Sequence, residues 1–265
     1  SMIAYITMAM VVAPMLAPTI GGLLDEWLGW RYSFGFVLVF GALVMVGCLL
    51  VLAETHGASR RLAIKEANLR FTALLKVPAF YVYTLQLTFS SAVFFGFLGG
   101  APYVVVQLMG HPPTTFGFYF IIVSVCYMSG NFTAARISVR AGTDRMILIG
   151  TGISVIGALS LWGFYMIGDL TPITLFGPMG LVALGNGMSI PNGIAGAISI
   201  DARMAGAASG ISGFVQMAFG AFTSMLVGLI LTDSAGPLVA VMLTGAVISF
   251  AIPVVGIRLF RHQSA

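Results

Sequence analysis

Eight apolar runs, each about 20 residues long, are separated only by polar connections, and no other feature narrows the possible folds so far. About 20 mostly apolar residues are what an α-helix needs to cross the hydrocarbon layer of a bilayer. The runs fall at roughly 2–24, 33–53, 79–101, 114–135, 146–167, 173–195, 206–231 and 237–257. Only 8% of the residues are charged, against about 25% in a soluble domain. So few charges cannot clothe a water-facing surface, so most of the surface must face lipid. The expected fold class is an all-α membrane protein with eight transmembrane helices.

The charges that remain give the orientation. If the polar segment from Glu54 to Pro78 is cytoplasmic, Arg60, Arg61, Lys65, Arg70 and Lys76 lie inside. Alternation adds Arg136, Arg140, Arg145, Arg203, Arg258 and Arg261, and leaves only Arg31 outside. By the positive-inside rule both ends of this chain are then cytoplasmic. Trp27, Trp30 and Tyr103 fall near the expected outer ends, where aromatic belts form. The net charge of +4 is spread over connections. It makes no basic face interleaved with aromatics, so no nucleic-acid partner is expected.

The long polar segment is the one clear internal boundary. It divides the chain into residues 1–53 (two helices), a cytoplasmic loop at 54–78, and residues 79–265 (six helices). Phe71, Leu74 and Leu75 in that loop are expected to lay an apolar face on the membrane surface. The six later helices read as two groups of three, and inverted three-helix repeats are a transporter habit.

Inside the first run, VVAPMLAPTIGGLL carries Pro14, Pro18, Gly21 and Gly22. Neighbouring helices can re-satisfy the carbonyls that a proline frees in lipid, so these residues bend a helix rather than end it. The glycine pair offers a bare face to another backbone. A bent helix with such a face suits an element that seals one end of a cavity.

At these residues a resemblance enters. Ala17-Pro18-x-x-Gly21-Gly22 resembles the antiporter motif of the major facilitator superfamily, with Ala17 where the wider motif has glycine. The Bcr/CflA-type drug-resistance branch is similar at APTIGG followed by Gly29-Trp30-Arg31. It is similar again at LVALGNGMSIPN (181–192) and AGAASGISGFVQMAFGA (205–221). The segment from Arg136 to Arg145 resembles the superfamily's cytoplasmic loop motif through Arg140, Gly142 and Arg145. Asp144 lies within it, and Val139 replaces the usual aspartate.

The resemblance implies helices five to twelve of a twelve-helix fold, its carboxyl-terminal two thirds. It implies proton-coupled efflux of small apolar or weakly polar compounds across a bacterial-type inner membrane, by alternating access. The implied partners are a small-molecule substrate, protons and the lipid bilayer. No cofactor is implied, and the full-length protein is expected to be monomeric.

Chemistry-bearing residues fit that picture only in part. All eight acids fall in connections or at helix ends, as do His56, His111 and His262. A membrane proton carrier is normally an intramembrane carboxylate or histidine. The resemblance therefore places the titrating group in helices upstream. The candidate cavity lies on four helix faces. Tyr83, Gln86, Ser90, Phe94 and Phe97 recur at three- and four-residue spacing, as do Phe120, Ser124, Tyr127 and Asn131. Asn186 and Asn192 follow on the sixth helix, and Gln216, Gly220 and Thr223 on the seventh. Any one of these polar groups could equally serve to bind helix to helix.

Gly150-Thr151-Gly152 and Gly185-Asn186-Gly187 sit inside apolar spans, where they read as close-packing sites rather than nucleotide loops. No metal-ligand cluster, nucleophile elbow or paired carboxylate points to an enzyme. Two other functions stay open: export of a metabolite, sugar or amino acid, and a truncated membrane protein that transports nothing.

Overall fold

The structure, a computed structural model, describes residues 17, 20–51, 74–200 and 204–261, with side chains through 256. Among the described residues eight helices follow one another. They are α1 (described over 20–28), α2 (Trp30–Val51), α3 (Pro78–Tyr103), α4 (Pro113–Ala141), α5 (Thr143–Met166), α6 (Pro172–Ser199), α7 (Ala205–Ile230) and α8 (Gly236–Arg261). A π-helical turn, Val104–Leu108, extends α3 at its carboxyl end. No strand occurs among the described residues, and seven of the helices are long and apolar enough to cross a membrane. The second to eighth apolar runs are all recovered. The bend expected at Pro14 and Pro18 lies outside the described residues.

Proline opens α3, α4 and α6 as Pro78, Pro113 and Pro172. The first turn of a helix has no use for the missing N–H, so proline starts these helices without cost. Thr171 and Thr174 add a reciprocal capping box ahead of α6.

Three expectations are corrected. Residues 25–32 are helical on both sides of Gly29, so the expected connection shrinks to one residue. The same happens at 136–145, where α4 runs to Ala141 and α5 starts at Thr143. Nothing in RISVRA opposes a helix. The break falls at Gly142 because its φ of +86° lies where side chains with a Cβ clash. Third, Leu74 does not face a membrane surface. It is fully buried with Phe80, Ala197, Met204 and Ala208, closing the end of the bundle that carries the α4–α5 arginines.

Helices α3 and α6 form the centre. Helix α3 packs mainly on α7 and α8, and α6 packs mainly on α4 and α5, with further contacts joining α5 to α8 and α3 to α6. Each three-helix group therefore builds its core largely against the other group, and sequence neighbours such as α4 and α5 touch little. Exchanging the groups maps one set of main contacts onto the other, as two structurally related triplets would give.

Glycine sets these distances. A Cβ on Gly130 would strike the Leu184 carbonyl, and one on Gly187 would strike that of Tyr127, so α4 and α6 cross backbone to backbone. Gly150 and Gly185 do the same for α5 and α6. Close approach of this kind supplies the packing that lipid, as apolar as any side chain, does not drive. The two glycine-rich triplets are thus crossing points.

Candidate functional site

Two clusters occupy the interior around α3 and α6. The first is aromatic and lies in the half of the bundle away from those arginines. Phe97 meets Phe176 edge to face at 5.4 Å, and Phe116 lies 5.5 Å from Phe120 and 5.6 Å from Phe176. Phe94 and Tyr119 extend the cluster at 6.3 Å from Phe120 and 5.8 Å from Phe176. These centroid distances fall within the favourable range for ring pairs.

The second cluster is polar and crosses three helices. Gln86 donates from Nε2 to Ser90 Oγ at 2.9 Å, and Asn186 donates from Nδ2 to the Ser90 carbonyl at 3.0 Å. Ser154 lies with its hydroxyl 3.2 Å from the carbonyls of Gly150 and Val182, and 3.4 Å from Asn186 Oδ1. The chain Gln86–Ser90–Asn186–Ser154 therefore ties α3 to α6 and α6 to α5. All four side chains are buried. Gln86 Oε1 and the hydroxyls of Ser124 and Ser189 are buried with no hydrogen-bond partner. An unmet polar group of this kind costs about 1–3 kcal/mol.

The remaining sequence-derived candidates separate by access. Asn192 and Thr223 are buried and bond to the carbonyls of Met188 and Phe219 in their own helices, at 2.8 Å each. Phe120 is buried within the aromatic cluster. Half-buried are Phe94, Tyr127, Asn131 and Gln216. Asn131 donates to the Tyr127 carbonyl at 3.0 Å, and the Gln216 amide bonds Ser91 of α3. Gly220 lets the Phe95 ring lie against α7, and Phe89 meets Phe219 edge to face at 5.1 Å.

A family model described as Major Facilitator Superfamily matches residues 1–225. The chain belongs to the major facilitator superfamily. It is 27% identical over 250 residues to a bicyclomycin resistance protein homolog of Haemophilus influenzae, covering 92% of this chain and 62% of that protein. It is 28% identical over 242 residues to the uncharacterized MFS-type transporter YdgK of Bacillus subtilis, covering 89% and 60%. To a chloramphenicol resistance protein of Pseudomonas aeruginosa it is 23% identical over 248 residues, covering 90% and 57%. The chain thus spans about three fifths of the length of these relatives. They support the likeness to the drug-resistance branch, and a transporter superfamily rather than an enzyme one.

For this superfamily chain, the motif residues can now be placed. Gly22 of α1 lies beside the start of α4, where an added Cβ would be 3.6 Å from the Pro113 carbonyl; one on Gly21 would meet nothing. Ala17 is exposed, and Pro14 and Pro18 lie outside the described residues. At the arginine-bearing end Tyr83 is held away from the aromatic cluster, because its hydroxyl donates to Asp144 Oδ1 at 2.8 Å. Its ring passes over Gly196, whose missing Cβ leaves the path open. Tyr83 therefore links α3 to the first turn of α5 across the carboxyl end of α6. Arg136 stacks on Phe132 with its guanidinium carbon 4.7 Å from the ring centre. Arg140 and Arg145 are exposed, and Gly142 forms the break between them.

Sequence reasoning passed over Ser91, Ser154, Phe116, Tyr119 and Phe176. A signal existed for Ser154, since Gly150, Ser154, Gly157 and Ala158 make one small face at helical spacing. The aromatic residues carried no signal, because phenylalanine is ordinary in any membrane span.

Proposed function

We propose that this chain forms the carboxyl-terminal part of a proton-coupled efflux transporter, which exports small apolar or weakly polar compounds across the inner membrane by alternating access. Its two ends lie in the cytoplasm. The observation that carries the reading is the pairing of an aromatic cluster with a buried amide–hydroxyl network on the two central helices of the bundle. Aromatic walls with a few placed amides suit lipophilic cargo that carries one or two polar groups. The resistance named in two of the relatives agrees with such cargo.

The substrate-facing groups in this reading are Phe94, Tyr127, Asn131 and Gln216, which are half-buried. Gln86, Ser90, Asn186 and Asn192 hold the wall behind them, with Phe120 and Thr223 packed beside them. The antiporter-motif residues Pro14, Ala17, Pro18, Gly21 and Gly22 shape the seal between helix bundles. In this reading the proton-carrying group belongs to helices upstream, as the family resemblance implies.

Expression of the complete gene in a pump-deficient bacterial host tests the proposal. Resistance should rise against several unrelated lipophilic compounds and collapse when the proton gradient is dissipated. Gln216→Leu should change which compounds are exported while the protein still inserts. No resistance, together with release of a metabolite, would replace drug by metabolite as the cargo. Neither resistance nor release would leave a membrane protein that does not transport.

A further inference from the structure

The amide hydrogen bonds of the candidate site share one direction. Asn131, Asn186 and Asn192 each give their side-chain nitrogen to a backbone carbonyl, those of Tyr127, Ser90 and Met188, at 3.0, 3.0 and 2.8 Å. A carbonyl only accepts, so these partners fix which end of each amide is nitrogen. Gln86 and Gln216 follow the same pattern, with their nitrogens on the hydroxyls of Ser90 and Ser91. Thr223 also spends its proton inside its own helix, on the Phe219 carbonyl. Donors are thus consumed by the protein.

Acceptors are left over. An amide whose nitrogen has given one N–H keeps a second N–H against two lone pairs on its oxygen. For Gln86 the surplus is explicit, because its Oε1 is buried with no partner. Pro191 adds to it, since proline brings no N–H to the Gly187 carbonyl one turn earlier. Gly187 lies at the α4 crossing, where an added Cβ would meet the Tyr127 carbonyl and the Asn131 backbone nitrogen. The hydroxyls of Tyr127, Ser124 and Ser189 can accept as well as donate, so none opposes the bias. Asn131 and Gln216 are half-buried, so the two amides with open surface carry this same bias.

We infer that the site selects, among apolar compounds, those that carry a hydrogen-bond donor such as a hydroxyl or an amide N–H. Ser91 is a positioning residue in it, keeping the Gln216 oxygen turned to the cargo. The inference rests on the efflux reading and names its cargo more narrowly. A donor on the cargo finds an acceptor waiting. A cargo that only accepts sets its own oxygen against oxygens of the protein, and a buried polar group left without a partner is costly.

The full-length protein in lipid nanodiscs is titrated with β-naphthol, its methyl ether and methyl β-naphthyl ketone, with empty nanodiscs as the blank. The alcohol should bind about fivefold more tightly than the ether, the gain of one net hydrogen bond. Gln216→Leu together with Asn131→Leu should bring that ratio close to one. Ser91→Ala releases the Gln216 nitrogen and should lower the ratio while strengthening the ketone, which a merely structural loss would not do. An unmoved ratio in Ser91→Ala removes Ser91 from its role. Equal binding of alcohol and ether by the wild type overturns the donor preference and leaves the efflux reading standing. So does ketone binding as tight as the alcohol's, or an unchanged ratio in the double leucine variant. Binding of none of the three compounds overturns it as well, and the efflux reading then stands or falls on the resistance test alone.

Discussion

Helices α2 and α6 run through the same molecule with opposite surfaces. Helix α2 carries no buried residue, and about two thirds of its positions are large apolar side chains, with Leu50 and Val51 at 80% and 83% exposure. Helix α6 is the most buried of the spans, and its buried positions include five glycines, Asn186, Ser189 and Asn192 beside apolar groups such as Phe176 and Met179. In water the order would be reversed. Here solvent is oil, so apolarity marks the outside, and small or polar residues mark where backbones meet and where hydrogen bonds must be closed internally. Polarity within a span therefore reports burial, and apolarity alone reports little.

That contrast can be broken first within single helices. Gly150→Leu in α5 should be the most damaging change, because its side chain would enter the α6 backbone. A loss of about 1–3 kcal/mol or more is expected, read as a lower unfolding temperature in detergent. Gly163→Leu, in the same helix but with nothing within 4 Å, should leave stability within about 0.5 kcal/mol. Equal damage from both would show that helix propensity, and not crossing distance, governs these glycines.

Asn186→Ala comes next. It removes the bond to the Ser90 carbonyl and the neighbour of Ser154, at about 0.6 kcal/mol for a typical membrane hydrogen bond and up to about 1.7. A double-mutant cycle with Ser154→Ala should give a coupling clearly different from zero, and additive losses would dissolve the network into separate bonds.

The smallest effect should come from Tyr83→Phe, which keeps the ring over Gly196 and deletes the bond to Asp144. About 0.5 kcal/mol is expected, the low end for one hydrogen bond of a half-buried hydroxyl, and Asp144→Asn added to the Tyr83→Phe variant should cost little more. Independent losses from the two changes would mean that each side chain serves another partner.

Much of this could be read from the chain alone, because its strongest signals are collective. Seven of the eight expected runs reappear as helices near the stated ends, since about 20 apolar residues have few other fates in lipid. The two glycine triplets were legible as crossings because a bare stripe in a span has a packing meaning. Less legible was the site. Gln86, Ser90 and Asn186 share polar faces in the sequence, yet spacing within one helix does not say whether a face meets a cavity or another helix. Tyr83 is the clearest case, as periodicity grouped it with Phe94 while its hydroxyl reaches Asp144, 61 positions away.

The sequence by itself determined the solvent, the spans and the gathering of the basic residues at one set of helix ends. These depend on composition and order, and each run answers to lipid independently of the others. Only the tertiary structure decided that α3 and α6 form the centre, that each three-helix group is built against the other, and that Asp144 is drawn away from its arginines. Those outcomes depend on which faces meet across the bundle. In oil every apolar face is equally content, so the choice is left to a few glycines and hydrogen bonds that act only once the helices are side by side.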